Sequence, residues 1–366
     1  MALSGYPKLQ NGEIVVEEEE ATTRKFKRFD IVSGASDHHY HTTYLPKNKN
    51  NNNNNASDCF KSASIKVHKR IMREWKILEK DLPESIYVRA YEQRIDLLRA
   101  VIVGSAGTPY HDGLFFFDIA FPSDYPNRPP MVHYRSFGLR LNPNLYSNGR
   151  VCLSLLNTWT GRRNEKWDPN QSTVLQVLVS IQGLVLNQKP YFNEPGVDIL
   201  PGRIKKSLAY SENVYVLSCK TMLYLLKTPP KNFENFVSMH FRERASDILN
   251  ACNAYMNGIV RVGYCKENGS VISSGSIDVS SKFKVAMEPL FTELVEAFTR
   301  NGASLGNFVE QVRKKNEMVA FKEVKKKNKK MTTASFLLKI LQNIKKILGL
   351  RKVGKGKAKK IKLKSY

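Results

Sequence analysis

Paired cysteines, long apolar runs and, toward one end, acidic side chains are what this 366-residue sequence has least of. Its five cysteines (59, 152, 219, 252 and 265) form no CxxC pair and are odd in number, which argues against a disulfide framework. Free thiols point to a reducing compartment, the cytoplasm or the nucleus. No stretch approaches the roughly 18 apolar residues of a membrane span. The opening MALSGYPKLQNGEIVVEEEE lacks a basic region followed by an apolar one, which speaks against a secretory leader. The third scarcity is local. Residues 301–366 carry 20 Lys+Arg against 3 Asp+Glu, so +17 of the net +25 sits there and only +8 is left for the first 300 residues.

What is present divides the chain into four. The 42% apolar content supplies a core, and the length suits one substantial domain with extensions, or two small ones. Residues 1–60 read as a mostly disordered extension, with an acidic run (Glu17–Glu20), a basic aromatic patch (RKFKRFD, 24–30) and an asparagine tract (Asn50–Asn55). Within it, FDIVSGASDHHY (29–40) mixes aromatics with Asp37, His38 and His39. It lacks further ligands at metal-site spacing. Disorder is the default there, and docking back onto the core is the alternative.

Residues 61–257 carry the folded pattern. Val67, Ile71, Trp75, Leu78 and Leu82 recur at helical spacing behind Ser64 as N-cap, and Pro83 stops the helix. Four strand-like runs follow at 86–91, 96–104, 114–121 and 131–136, separated by Gly and Pro turns, which predicts an antiparallel meander. Phe115, Phe117, Ile119 and Phe121 alternate, so one face of their strand is expected to be buried. Helical patterns then cover 173–186, about 206–227 and 231–257. The order predicts an α+β fold with helices packed on one antiparallel sheet. Residues 258–330 read as an irregular extension with a helix near 284–301, and 331–366 as a basic amphipathic tail.

One cysteine sits in the run NPNLYSNGRVCLSLLNTW (142–159). A working thiolate needs exposure and polar surroundings. Asn142, Asn144, Asn148 and Gly149 supply a polar loop, and no Asp or Glu lies between Asp124 and Glu165. His111 and His133, the nearest histidines, form no cysteine-protease signature, which disfavours peptide hydrolysis. A cysteine without a strong base suits thioester exchange, where the incoming group is already activated. Equally, Val151, Leu153 and Leu155 could bury Cys152 as a small strand filler. Residue type and spacing leave both readings open.

Three ordered motifs carry a resemblance: GTPYHDGLF (107–115), FPSDYPNRPP (121–130) and NPN followed eight residues later by Cys152. Together with the element order they resemble the ubiquitin-conjugating enzyme family over about residues 64–227, in particular its large divergent branch of hybrid conjugating-enzyme/ligase proteins and plant phosphate-homeostasis relatives. The resemblance implies a catalytic core of one N-terminal helix, a four-stranded antiparallel meander and C-terminal helices. It implies that Cys152 takes ubiquitin as a thioester in an ATP-dependent pathway, and that Asn144 stabilises the oxyanion or orders the loop. It also implies a gate carboxylate, Glu194 or Asp198. Its partners would be ubiquitin, the activating enzyme, protein substrates and a ligase, with no cofactor or metal. Lys66, Lys69, Arg70 and Arg73 match the place where the family meets its activating enzyme.

Departures are visible too. The family's His-Pro-Asn reads Asn142-Pro143-Asn144, and Asn127 stands where many relatives carry an apolar ligase contact. The segment 160–172 is longer than in minimal members, leaving Trp159 or Trp167 for the tryptophan that usually follows the cysteine. Two rival functions stay in view: a catalytically silent ubiquitin-binding scaffold, and a polyanion-binding protein acting through its tail. The lysine runs at 322–330 and 351–364 suit nucleic acid or an anionic membrane surface.

Overall fold

The computed structural model describes residues 26–42, 65–159, 161–197, 201–264 and 279–347. It divides into two units, Met1–Ala303 and Ser304–Tyr366. In the first unit, α1 (Ile65–Asp81) buries Val67, Ile71, Trp75 and Leu78 on the stripe their spacing dictates. Ser64, its expected cap, lies outside the described residues. Strands β2 (Ile86–Tyr91), β3 (Arg94–Val103), β4 (Leu114–Ala120) and β5 (Met131–Tyr134) form the antiparallel meander.

The sheet has a fifth strand that periodicity did not suggest. β1 (Phe29–Val32) runs parallel to β2, with Phe29 opposite Val88 and Val32 opposite Tyr91. Residues 26–42 therefore belong to the fold and not to a disordered extension. The cause is a set of charges spread widely along the chain. Arg99, fully buried on β3, gives Nε to Asp118 Oδ1 at 2.6 Å and a terminal nitrogen to Asp37 Oδ1 at 2.8 Å. Asp37 Oδ2 also accepts from Arg135 and from the backbone N–H of Lys231. Burial alone would raise both carboxyls, but Arg99 outweighs it and holds Asp37 and Asp118 below the usual carboxylate range. His38 Nε2 lies 3.0 Å from Leu98 O, and the His39 ring stacks on His133 with centroids 3.4 Å apart.

This segment changes the outer face of the sheet. β4 is buried at all seven positions, not at alternate ones. Phe115, Phe117 and Ile119 join the main core, which also holds α1 and α2. On the other face Phe116 meets Phe233 edge-on at 5.2 Å, and Ala120 packs with Ala35, Tyr91 and Leu97.

Beyond the cysteine, α2 (Val174–Ser180) opens on a capping box between Thr173 and Gln176 and widens into a π turn over Ile181–Val185. Then come α3 (Pro201–Lys227) and α4 (Glu234–Met256), ending close to where their patterns stop. The expected irregular extension is partly structural. Helix α5 (Ser281–Arg300) buries Phe283, Met287, Leu290, Leu294 and Phe298, and Asn301 exchanges side-chain hydrogen bonds with Ser238 of α4. The division between units falls after Ala303. The second unit contains one long helix, α6 (Gly306–Ile347), which runs straight through the expected boundary at 330.

Candidate active site

The cysteine loop folds because its polar side chains replace the ladder that β5 no longer provides. β5 ends at Tyr134, and only single bridges (His133 with Arg150, Leu145 with Val151) continue toward Cys152. The turn at Tyr146–Gly149 closes by a Gly149 N–H to Tyr146 O bond of 3.0 Å. Gly149 has φ +85°, and a Cβ there would lie 2.0 Å from the His133 ring, so both conformation and space require glycine.

Asn142 is the centre of the site. It is fully buried, and every polar atom of its side chain is used. Oδ1 accepts the Asn144 N–H at 2.8 Å, while Nδ2 donates to Tyr110 Oη at 2.8 Å and to Val185 O at 2.7 Å. Val185 O is free to accept because the helix ends there, leaving carbonyls without intrahelical donors. Burial pushes the Tyr110 hydroxyl well above its usual range, so it stays protonated and donates onward to Leu141 O at 3.2 Å. The position where the resemblance expects histidine thus holds a side chain that pins the loop to the end of α2.

Asn144 and Cys152 are locked together by two bonds. Cys152 N–H donates to Asn144 O, and Asn144 Nδ2 donates to Cys152 O, each at 2.9 Å. Asn144 Oδ1 is buried and has no hydrogen-bond partner among the described residues. On the far side of the cysteine, Thr158 Oγ1 donates to Val151 O at 2.8 Å and accepts the Leu153 N–H at 2.9 Å. Cys152 itself is only 2% exposed, between the buried Val151 and Leu153. The backbone on both sides of the cysteine is hydrogen-bonded, and the residue is covered.

Glu194 lies at the edge of this constellation. Its side chain is 52% exposed, and its nearest cation is Arg140, at 3.8 Å. Such an exposed pair contributes at most about 1 kcal/mol. Its neighbour Asn193 reaches inward, donating to Val185 O at 3.1 Å and to Asn142 Oδ1 at 3.3 Å. The loop bearing Glu194 is therefore tied directly to the Asn142 pin. Asp198, the alternative gate carboxylate, lies outside the described residues.

Other expectations resolve into contacts. Trp167, not Trp159, is anchored, its Nε1 donating to Pro126 O at 2.6 Å. Arg70 is not a free member of a basic helix face. It donates to Ser172 O at 2.7 Å and pairs with the buried Glu74 at 3.2 Å. Glu74 in turn accepts from Tyr125 Oη and from the N–H of Val174, at the start of α2. Lys66, Lys69 and Arg73 remain exposed. Tyr110, Thr158 and Asn193 escaped the sequence reading. Tyr110 stood inside a recognised motif, but its hydroxyl finds Asn142 across 32 residues.

Comparison with known proteins follows the same residues. Residues 70–206 match the ubiquitin-conjugating enzyme family. A probable ubiquitin-conjugating enzyme E2 25 of Arabidopsis thaliana is 61% identical over 220 residues, which are 59% of this chain and 36% of that protein. The putative ubiquitin-conjugating enzyme E2 38 of the same plant is 52% identical over 237 residues, covering 64% of this chain and 73% of the relative. A human dual E2 ubiquitin-conjugating enzyme/E3 ubiquitin-protein ligase, BIRC6, is 39% identical over 216 residues, only 4% of its length. The chain spans about a third of the first of these relatives and much less of the hybrid protein. The second covers most of a whole relative at high identity, and on that match this chain belongs to the ubiquitin-conjugating enzyme family.

Proposed function

We propose that Cys152 accepts ubiquitin as a thioester from the activating enzyme and hands it to a substrate lysine or a ligase cysteine. The observation that carries this reading is the reciprocal lock between Asn144 and Cys152, which fixes the backbone from which a thiol would work. In the first step the Cys152 thiolate attacks the thioester carbonyl on the activating enzyme. A new C–S bond forms, the old one breaks, and the activating-enzyme thiolate leaves. In the second step a lysine amine attacks the Cys152 thioester, the Cys152 thiolate leaves, and the amine proton passes to a carboxylate or to water.

Asn144 serves here chiefly as a positioning residue, since its Nδ2 is committed to the Cys152 carbonyl. Its buried Oδ1 has no hydrogen-bond partner among the described residues. Glu194 is the carboxylate of the gate, exposed to solvent and oriented weakly by Arg140. Lys66, Lys69 and Arg73 form the face offered to the activating enzyme. Asn127, exposed where an apolar ligase contact is expected, favours direct transfer to substrate over docking of a conventional ligase. The reaction belongs in the cytoplasm or nucleus, where thiols stay reduced.

A second reading rests on one observation. A thiol that is 2% exposed is inert until the loop opens, which favours a silent ubiquitin-binding scaffold. A charging assay with ubiquitin, activating enzyme and ATP, run on a non-reducing gel, separates the two. The enzyme reading expects a thiol-sensitive adduct that disappears in Cys152→Ala. Discharge onto free lysine should fall roughly a hundredfold in Asn144→Ala and roughly tenfold in Glu194→Gln. Absence of the adduct, with Cys152 unreactive to alkylation in the folded protein, would leave the scaffold.

A further inference from the structure

Helix α6 carries an exposed apolar stripe. Leu337, Ile340, Leu341 and Ile344 follow the i, i+3, i+4, i+7 spacing of one helical face, and all four are exposed, Leu337 by 54%. Lys339 and Gln342 fall on the opposite side of the helix by the same spacing. Around this stripe the charge is of one sign. Residues 324–366 contain 16 Lys+Arg and no Asp or Glu.

Three occupants would each satisfy part of this pattern. A second copy of the helix would cover the apolar stripe but bring two sets of lysines together with no acid between them. Nucleic acid would neutralise the lysines but leave the leucines and isoleucines in water, since its backbone recognises charge alone. An anionic bilayer surface satisfies both, taking the apolar side chains below the headgroups and the lysines among them. The stripe spans only about two helical turns, which suits lying in the interface and not crossing it.

We infer that the 335–347 part of α6 is an interfacial membrane-binding helix selective for anionic lipid, which would hold the conjugating core at a membrane surface. The test is flotation of the full chain with phosphatidylcholine vesicles, with and without phosphatidylserine. Vesicles containing phosphatidylserine should bind roughly tenfold or more tightly than those without it. A double variant, Leu337→Glu with Ile344→Glu, should lose that binding by roughly tenfold or more. Its thermal unfolding should match the parent, because neither side chain is buried. Three results would overturn the inference: no flotation on anionic vesicles; equal flotation of the double variant, which would reduce the contact to lysine charge; or a self-associated parent that the double variant converts to monomer without any lipid. Duplex DNA that binds parent and variant alike and strips the parent from vesicles would assign the tail to nucleic acid instead.

Discussion

Two segments flank the core in sequence and both look polar on paper, yet one adds a strand and buried groups to the sheet and the other is a helix with exposed apolar side chains. Residues 26–42 add a strand and insert Asp37, His38 and His39 among buried groups. Among the described side chains of α6, Lys314, Lys315, Lys322, Lys325 and Lys339 are exposed, and so are Leu337, Leu338 and Leu341. Overall polarity does not separate them. Sign balance does. The N-terminal segment supplies an acid to a guanidinium that burial would otherwise penalise heavily, and a buried charge is tolerated only when paired and hydrogen-bonded. The first turns of α6 pair Arg313 with Glu310 and Glu317, but from residue 324 onward the C-terminal segment has cations only, so nothing in that stretch can neutralise them at close range.

Removing the central cation should break the contrast most sharply. Arg99→Ala leaves the buried Asp118 with His38 and the His39 backbone N–H but no guanidinium, and loss of one partner from a buried pair costs about 3–5 kcal/mol. Urea unfolding of the variant measures it, and amide exchange at residues 29–32 should rise at least as much as in the core. A cost near zero would mean the segment is held by its strand pairing and not by charge.

The next effect is on pH dependence. Burial, and secondarily the neighbouring His39, lowers the His133 pKa from 6.5 to about 4. In the unfolded chain His133 takes its proton near 6.5, so stability is lost as pH falls from about 6.5 toward about 4, and this group contributes no further loss below that. Partial exposure of the ring keeps the size modest. His133→Phe, which preserves a ring against His39, should flatten this part of a plot of melting temperature against pH. A profile unchanged by the substitution would remove His133 from the account.

The smallest effect is expected at the other end. Ile340→Glu should change unfolding free energy by no more than about 0.5 kcal/mol, as for surface positions in general. A larger loss would mean that α6 is as much a part of the core as the N-terminal segment.

The sequence made much of this fold legible where contacts are local. Val67, Ile71, Trp75 and Leu78 announce α1, and the four strands of the meander fall within a few residues of their apolar runs. β1 was not legible, because FDIV is short and its support comes from Arg99, Arg135 and Lys231, whose relation to Asp37 exists only in three dimensions. The same holds within the site. Spacing and motif single out Cys152 and Asn144, but spacing cannot tell a covered thiol from an open one. Nor could it tell that Asn142, read as the loss of a histidine, would fill its place with four directed hydrogen bonds. Chemistry carried by one residue is readable, whereas chemistry carried by a meeting of distant residues is not.

The clasp at Asp37 also sets a timetable. On a ribosome, β1 emerges before any other strand of the sheet, but its partner β2 lies 59 positions later along the chain. The Asp37 carboxylate cannot complete its bonds until Lys231 has been made, 194 residues on. At roughly 5–20 residues per second that is a delay of about 10–40 s. During it β1 can already pair with β2 and Asp37 with Arg99 and Arg135, while the bond to Lys231 stays open. The clasp on the oldest strand in the nascent chain is therefore completed only after every strand of the meander has been made.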